Sequence, residues 1–119
     1  TMISTTAAVE TFMVPQAYNA MKAALITYAK QLGQFAGADG VRVNTVSPGP
    51  IDFEGGAWQM IKETMEPLYN KTLRTHPTGR MGTPEEVANG IVFLSSPAAS
   101  WINGTNLIID GGYTQRVQF

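Results

Sequence analysis

The sequence predicts an α/β fold in which parallel strands alternate with helices. Three observations predict it. Val41-Arg-Val-Asn-Thr-Val46 and Asn106-Leu-Ile-Ile-Asp110 are short, rich in β-branched or apolar residues, and bounded by Gly or Pro. Between and before them lie segments with apolar residues at steps of three and four, the period of a helix. Strands separated by helix-length crossovers run parallel, and the order strand, helix, strand, helices, strand describes one α/β layer set.

The elements follow in order. Thr1 to Thr5 reads as the end of a strand. Thr6 to Gln16 is mixed and contains Pro15, so a loop with at most one helical turn is expected. From Ala17 to Ala36 the helical spacing is sustained through Ala17, Met21, Ala24, Leu25, Tyr28, Leu32 and Phe35, and Gly37 and Gly40 stop it. The strand Val41–Val46 then ends abruptly at Ser47-Pro-Gly-Pro50. Residues 51–57 form a loop with Gly55 and Gly56, and one helix, weakened by Pro67, is expected from Trp58 to about Arg74. His76–Arg80 is a loop. Thr83-Pro-Glu-Glu86 is a helix start: Thr83 caps, Pro84 suits the first helical position, and Glu86 completes a capping box. That helix runs to about Leu94 and buries Val87, Ile91 and Leu94. Pro97 ends it, and the last strand leads into Gly111-Gly112.

Composition narrows the function. A chain of 119 residues fits one small domain, 1–119, and 44% hydrophobic residues against 14% charged ones can build a core. A net charge of −1 offers no basic footprint for nucleic acid or an anionic membrane. Without cysteine there is no disulfide or thiolate site, and His76, the single histidine, makes a metal site unexpected. No apolar run is long enough to span a membrane, and no signal peptide is visible, so a cytoplasmic location is expected. The opening at Thr1, inside a β-prone stretch, reads like the middle of a longer gene product.

Tyr18-Asn-Ala-Met-Lys22 carries the chemistry. Residues i and i+4 share a helix face, so a phenol and an ammonium can reach one pocket. A free phenol loses its proton near pH 10, and a nearby cation favours the phenolate, which suits proton exchange with a substrate. Taken alone, such a pair is a common surface motif.

The ordered set of motifs is more specific. Ile3-Ser-Thr-Thr6, Tyr18-Asn-Ala-Met-Lys-Ala-Ala-Leu25, Val41-Arg-Val-Asn-Thr-Val-Ser-Pro-Gly49, Gly79-Arg-Met-Gly-Thr-Pro-Glu-Glu-Val-Ala88 and Gly104-Thr-Asn-Leu-Ile-Ile-Asp-Gly-Gly112 cover the chain from end to end. Together they resemble the short-chain dehydrogenase/reductase family. The resemblance implies the C-terminal part of a Rossmann-like doubly wound parallel sheet, lacking the N-terminal dinucleotide-binding half. It implies that Tyr18 is the general acid/base and that Lys22 holds the nicotinamide ribose of NAD or NADP. The family's serine stands thirteen residues before the tyrosine. Counting back gives Thr5, while a one-residue bulge would bring Ser4 there instead.

The resemblance further implies that Pro48-Gly49 lies against the nicotinamide and that the Ile51 backbone contacts its carboxamide. Where the family has a threonine this chain has Phe53, so that hydroxyl contact is lost or taken over by Asp52 or by backbone. Residues 53–79 match the family's variable substrate loop, and Phe53 and Trp58 are candidates to touch substrate. Glu54, Glu63 and Glu66 read as a solvated face and His76 as a loop residue with ordinary hydrogen bonds. Arg80 is expected to pair with a carboxylate or cap a carbonyl. Ala20, Ala23 and Ala24 permit close helix approach, and the family's habits imply a homo-oligomeric parent, dimer or tetramer.

No Gly-x-x-x-Gly-x-Gly turn follows a strand here. The leading expectation is an oxidoreductase moving hydride between NAD(P) and a small alcohol or carbonyl, with the segment alone inactive. The competing expectations are a non-catalytic binding or regulatory protein, or an interaction module, on the same fold. A cofactor-dependent absorbance change with a panel of alcohols and ketones separates them.

Overall fold

The structure, a computed structural model, describes residues 1–117. Three strands, β1 (Met2–Ile3), β2 (Thr45–Pro48) and β3 (Asn106–Ile109), form a parallel sheet in the order β1-β2-β3. Four helices accompany them: α1 (Ala17–Ala36), α2 (Ala57–Thr64), α3 (Glu66–Thr75) and α4 (Pro84–Ser95). The parallel α/β expectation holds.

The central strand sits four residues later than its β-branched run suggests, and it extends through Ser47-Pro48, where a break is expected. Hydrogen-bond direction explains both shifts. Thr45 and Gly49 donate toward β3, to Thr105 and Ile109 carbonyls, while Asn44 and Val46 carbonyls accept from Met2 and Ser4 on the β1 side. The alternation points the Pro48 nitrogen toward the β1 side, beyond the last β1 pair, Ile3 with Val46. Its missing N–H therefore costs no ladder bond. Upstream, side chains replace the ladder. Asn103 Oδ1 accepts from Val43 N (2.9 Å), and Asn44 donates to Ile102 O (2.8 Å) and accepts from Thr105 N (3.0 Å).

The core forms where α4 crosses the sheet. Val46, Val87 and Leu94 are buried, with Ile51, Ile91, Ile102, Leu107 and Ile109 packed against them. Arg42 crosses to the far end of α4 and donates to the carbonyls of Leu94, Ser96 and Ile102, satisfying acceptors that a helix end leaves open.

Helix α1 has the expected bounds, but its large apolar residues do not face the sheet. Its buried residues are Ala29 and Gly33. A Cβ on Gly33 would stand 2.6 Å from Asn103 Oδ1 and 3.1 Å from the Val43 carbonyl, so glycine sets how closely helix and sheet approach. Met21, Tyr28 and Phe35 face outward, Phe35 with 84% exposure. The stop is Gly40, in the left-handed region at φ 76, whereas Gly37 is still right-handed.

The single helix expected over Trp58–Arg74 is two helices. The chain breaks at Met65 (φ −140, ψ 50), and Pro67 sits in the first turn of α3. A continuous helix would need a donor at Pro67 and would drive its ring into the carbonyl four residues back, so proline ends one helix and starts the next. The α4 start matches expectation: Thr83 Oγ1 accepts from Glu86 N, and Glu86 Oε2 accepts from Thr83 N. Arg80 joins it with a two-pronged bond to Glu86 (2.6 and 2.9 Å). That guanidinium, then the Thr83 amide, hold the Glu86 carboxyl at a pKa of about 2. Among the described residues no helix is long and apolar enough to cross a membrane.

Candidate functional site

The candidate site is built where the strands end. In an open parallel sheet the carboxyl ends of the strands line a crevice that helices and loops close. β1 runs into Ser4-Thr5, β2 into Gly49–Asp52, and β3 into Asp110. The start of α1 brings Tyr18 and Lys22 beside the first of these ends. Lys22 Nζ donates to the Ile3 carbonyl (2.7 Å) and stands 5.7 Å from the Tyr18 ring centroid. Tyr18 is half exposed, and among the described residues no hydrogen bond engages its hydroxyl.

Ser4 and Thr5 are placed differently. Ser4 is buried and its hydroxyl donates to the Lys22 carbonyl (2.9 Å), pinning β1 to α1. Thr5 caps the short 3-10 turn Thr6–Ala8, its Oγ1 accepting from Ala7 N at 3.3 Å. A hydroxyl that accepts there keeps its own proton available to another acceptor.

After β2, Pro48 and Gly49 end the strand against β3. A Cβ on Gly49 would meet Asp110 Cβ at 2.6 Å and Asp110 Cα at 2.9 Å. Glycine is required here by close approach. Ile51 forms a parallel bridge with Gly82 through its flanking amides: Gly82 N donates to Pro50 O, and Asp52 N donates to Gly82 O. The N–H and C=O of Ile51 itself thus face away from that bridge.

Asp52 accepts from Gln59 and from the Tyr69 hydroxyl (3.4 Å), so it ties the substrate-loop segment to α2 and α3. Phe53 is 49% exposed on a turn closed by Gly55 at φ 76, its ring lying over Gly56. Trp58, on α2, meets Phe12 edge-on with ring centroids 6.3 Å apart. Phe12 belongs to an open cavity of about 560 Å³ whose wall is residues 7–16 together with Asn19, one residue beyond Tyr18. The sequence singles out no residue of this wall. It has no periodicity, and the hydrogen bonds from Gln115 and Arg116 that help hold it come from more than a hundred residues away.

His76 departs from expectation. It is 5% exposed, both ring nitrogens lack partners among the described residues, and the ring stacks on Tyr113 at 4.6 Å. Burial is the main cause that lowers its pKa; Asp110 pulls upward and Arg80 downward. A flat aromatic contact, rather than hydrogen bonding, decides its position. Asp110 is itself buried enough to be pushed upward. Bonds from Thr114, then from Gly112, and the nearby His76 outweigh this and leave its pKa lowered. Among the described residues no group of three or more His, Asp or Glu side chains could hold a metal ion.

A family model described as enoyl-(acyl carrier protein) reductase matches residues 1–114. The chain belongs to the short-chain dehydrogenase/reductase family. Isoepoxydon dehydrogenase of Penicillium expansum is 41% identical over 105 residues, which is 88% of this chain and 40% of that protein. A 3-oxoacyl-[acyl-carrier-protein] reductase of Chlamydia muridarum is 41% identical over 95 residues, 80% of this chain and 36% of that protein. Among solved structures, a short-chain dehydrogenase/reductase oxidoreductase of Burkholderia thailandensis superposes with a TM-score of 0.83 at 38% identity, covering 93% of this chain and 42% of that one. A 4-hydroxyisoleucine dehydrogenase complexed with NADH gives 0.84 at 30% identity, covering 97% and 46%. The chain thus spans about 40% of the length of these relatives and carries the C-terminal part of a Rossmann-type sheet. Its relatives are oxidoreductases.

Proposed function

We propose that this chain is the catalytic half of an NAD- or NADP-dependent oxidoreductase interconverting an alcohol and a ketone or aldehyde. The observation that carries the reading is the pairing of Tyr18 and Lys22 on one face of α1, beside the ends of parallel strands, in a chain of this family.

The residues present fit the nicotinamide end of such a cofactor. Lys22 has three N–H donors and uses one on Ile3 O, leaving two for the hydroxyls of a ribose. The Ile51 amide faces away from its bridge, as a contact to a carboxamide requires. Pro48 and Gly49 bring the backbone of β2 to the same crevice, with Asp110 filling the space a Gly49 side chain would take. The pyrophosphate and adenine of such a cofactor would be held by the dinucleotide-binding part of a longer parent. We infer that the segment alone is inactive and that 1–119 forms one partial domain of that parent.

The nicotinamide supplies or accepts the hydride when bound. The chain's own residues manage the proton. During reduction the Tyr18 hydroxyl donates its proton to the oxygen of the substrate carbonyl; during oxidation it takes the proton back. The Lys22 ammonium stabilises the phenolate oxygen left in the first case. Thr5, with its hydroxyl proton uncommitted, hydrogen-bonds the same substrate oxygen, while Ser4 holds α1 in place. Phe53 and Trp58 contribute to the substrate side. The natural partners are a small-molecule alcohol or carbonyl and a second copy of the parent. An exposed apolar face on α1, Met21, Tyr28 and Phe35, supports the latter, and a cytoplasmic location accords with these partners.

The test is Tyr18→Phe in the parent enzyme. Turnover, followed by the near-ultraviolet absorbance of reduced nicotinamide, falls by about 10²–10⁴-fold, the usual share of a general acid/base. Cofactor affinity stays within a few-fold. Undiminished turnover would rule out the proton role.

A further inference from the structure

Resting on the oxidoreductase reading, we propose that the C-terminal segment Thr114–Arg116 is a positioning strap. It holds the outer wall of the cavity beside Tyr18 and so limits substrates to compact, uncharged carbonyls with an apolar body.

The wall, residues 9–16, contains no helix or strand. It carries Met13 at φ 58, a left-handed conformation that a non-glycine residue keeps only when its surroundings over-determine it. Two anchors supply that constraint. On one side Phe12 meets Trp58 of α2. On the other the strap crosses over: Gln115 N donates to the Glu10 carboxylate (3.1 and 3.5 Å), and Arg116 Nη1 donates to the Val9 carbonyl (2.9 Å).

The strap is fixed in turn from β3. Asp110 accepts from Gly112 N (2.9 Å), Thr114 N (2.8 Å) and Thr114 Oγ1 (2.7 Å), and Tyr113 stacks on His76. A rigid strand end thereby reaches, through one carboxylate, a loop more than a hundred residues earlier in the chain. The geometry is that of a buttress: Asp110 sets the strap, the strap sets Val9 and Glu10, and these set how far Phe12 stands from Trp58.

The open cavity behind this wall points to the ligand class. A volume of about 560 Å³ lies within the usual range for small-molecule sites. Val9, Phe12, Val14 and Pro15 make the wall apolar, and the charge of Glu10 at its edge is offset by Arg116 on the neighbouring Val9 carbonyl. A wall of this character accepts uncharged ring or short-chain carbonyls.

The experiment uses the parent enzyme with Arg116→Ala, and Arg116→Lys as the conservative variant. Two readouts are taken: kinetics with cyclohexanone and with a bulky diaryl ketone, and hydrogen–deuterium exchange by mass spectrometry. In Arg116→Ala, exchange over residues 9–16 accelerates on the order of tenfold, the factor associated with one lost bond to a charged donor. Exchange in α1 beyond its first turn does not change. KM for cyclohexanone rises by a similar factor, kcat stays within about twofold, and preference over the bulky ketone shrinks. Arg116→Lys recovers part of each effect. Unchanged exchange over 9–16 with an unchanged preference overturns the strap. So does acceleration spread evenly over α1 and the sheet, which would mark a merely structural contact. Absence of nicotinamide-dependent turnover with every carbonyl overturns the oxidoreductase reading instead, while the exchange measurement, which needs no turnover, still decides the strap.

Discussion

Asn44 offers the sharpest test of how the sheet is held in register. Its side chain is 2% exposed and spans the gap between the lead-ins of β2 and β3. Nδ2 donates to Ile102 O at 2.8 Å, and Oδ1 accepts from Thr105 N at 3.0 Å. Asn44→Ala removes both bonds and leaves the buried Thr105 N–H behind, while the Ile102 carbonyl keeps its bond from Arg42. Two bonds of about 1 kcal/mol each, plus a desolvation penalty for the one orphaned N–H, give a loss of about 2–4 kcal/mol. Asn44→Asp separates the two roles. One carboxylate oxygen still accepts from Thr105, while the other is forced against the Ile102 carbonyl in a buried site, so at neutral pH it should be worse than alanine. Burial and the carbonyl both favour the protonated form and should outweigh the Arg42 guanidinium on that same carbonyl, so the folded-state pKa of that carboxyl would be raised. The aspartate variant should therefore regain relative stability as pH falls toward the raised value, where its hydroxyl can donate to Ile102. The assay is urea unfolding of the parent enzyme at neutral and mildly acidic pH. An alanine variant within about 0.5 kcal/mol of the original chain, the size of an ordinary surface change, would refute the bridging argument. An aspartate variant no worse than alanine at neutral pH would do the same.

Gly49→Ala forces a methyl into Asp110 Cβ and Cα. It should cost about 1–3 kcal/mol by overpacking, measurable as a lower urea midpoint, and should reduce turnover by spreading the ends of β2 and β3. Thr83→Ala removes the α4 cap and should lower stability by about 1 kcal/mol in the same assay. For His76 the folded pKa is depressed below the unfolded value of 6.5, so the unfolded chain binds the proton first as pH falls. Stability should be level above about pH 6.5 and decline below it by at most one proton's worth, ~1.4 kcal/mol per pH unit. His76→Phe, which keeps the stack on Tyr113, should flatten that decline, and an unaltered pH profile in the variant would count against the burial argument.

Much of the fold was legible because local chemistry and tertiary packing agree. At Thr83-Pro-Glu-Glu86 the cap, the proline and the reciprocal glutamate all specify the same helix start, and the structure adds only Arg80 as a third partner. At Val41–Val46 they disagree. β-branched character is strongest at the beginning of the run, but neighbours on both sides exist only from Thr45 onward, so pairing decides the strand's position. In α1 the apolar spacing correctly marks a helix but misdirects any inference about its buried face. Small residues, Ala29 and Gly33, make the close contact with the sheet, and Tyr28 and Phe35 point away. Periodicity reports that a helix has two faces without saying which partner each one meets.

The same distinction governs the site. Tyr18 and Lys22 are four apart on one helix, so their neighbourhood follows from the sequence spacing alone. The choice between Ser4 and Thr5 does not, because both hydroxyls lie within one residue of the required place. It turns on where each proton goes. A serine that donates to a helix carbonyl has no proton left for a substrate, and at 3% exposure it has no path to one. A threonine that accepts from a backbone amide keeps its proton and stands at the open end of the strand. This topology of donors supports Thr5 as the residue beside the substrate oxygen and Ser4 as the one that positions Lys22. Exchanging their chemistry should then show asymmetry. Thr5→Val should lower kcat with the fold intact, whereas Ser4→Ala should act first on stability by freeing the Lys22 carbonyl.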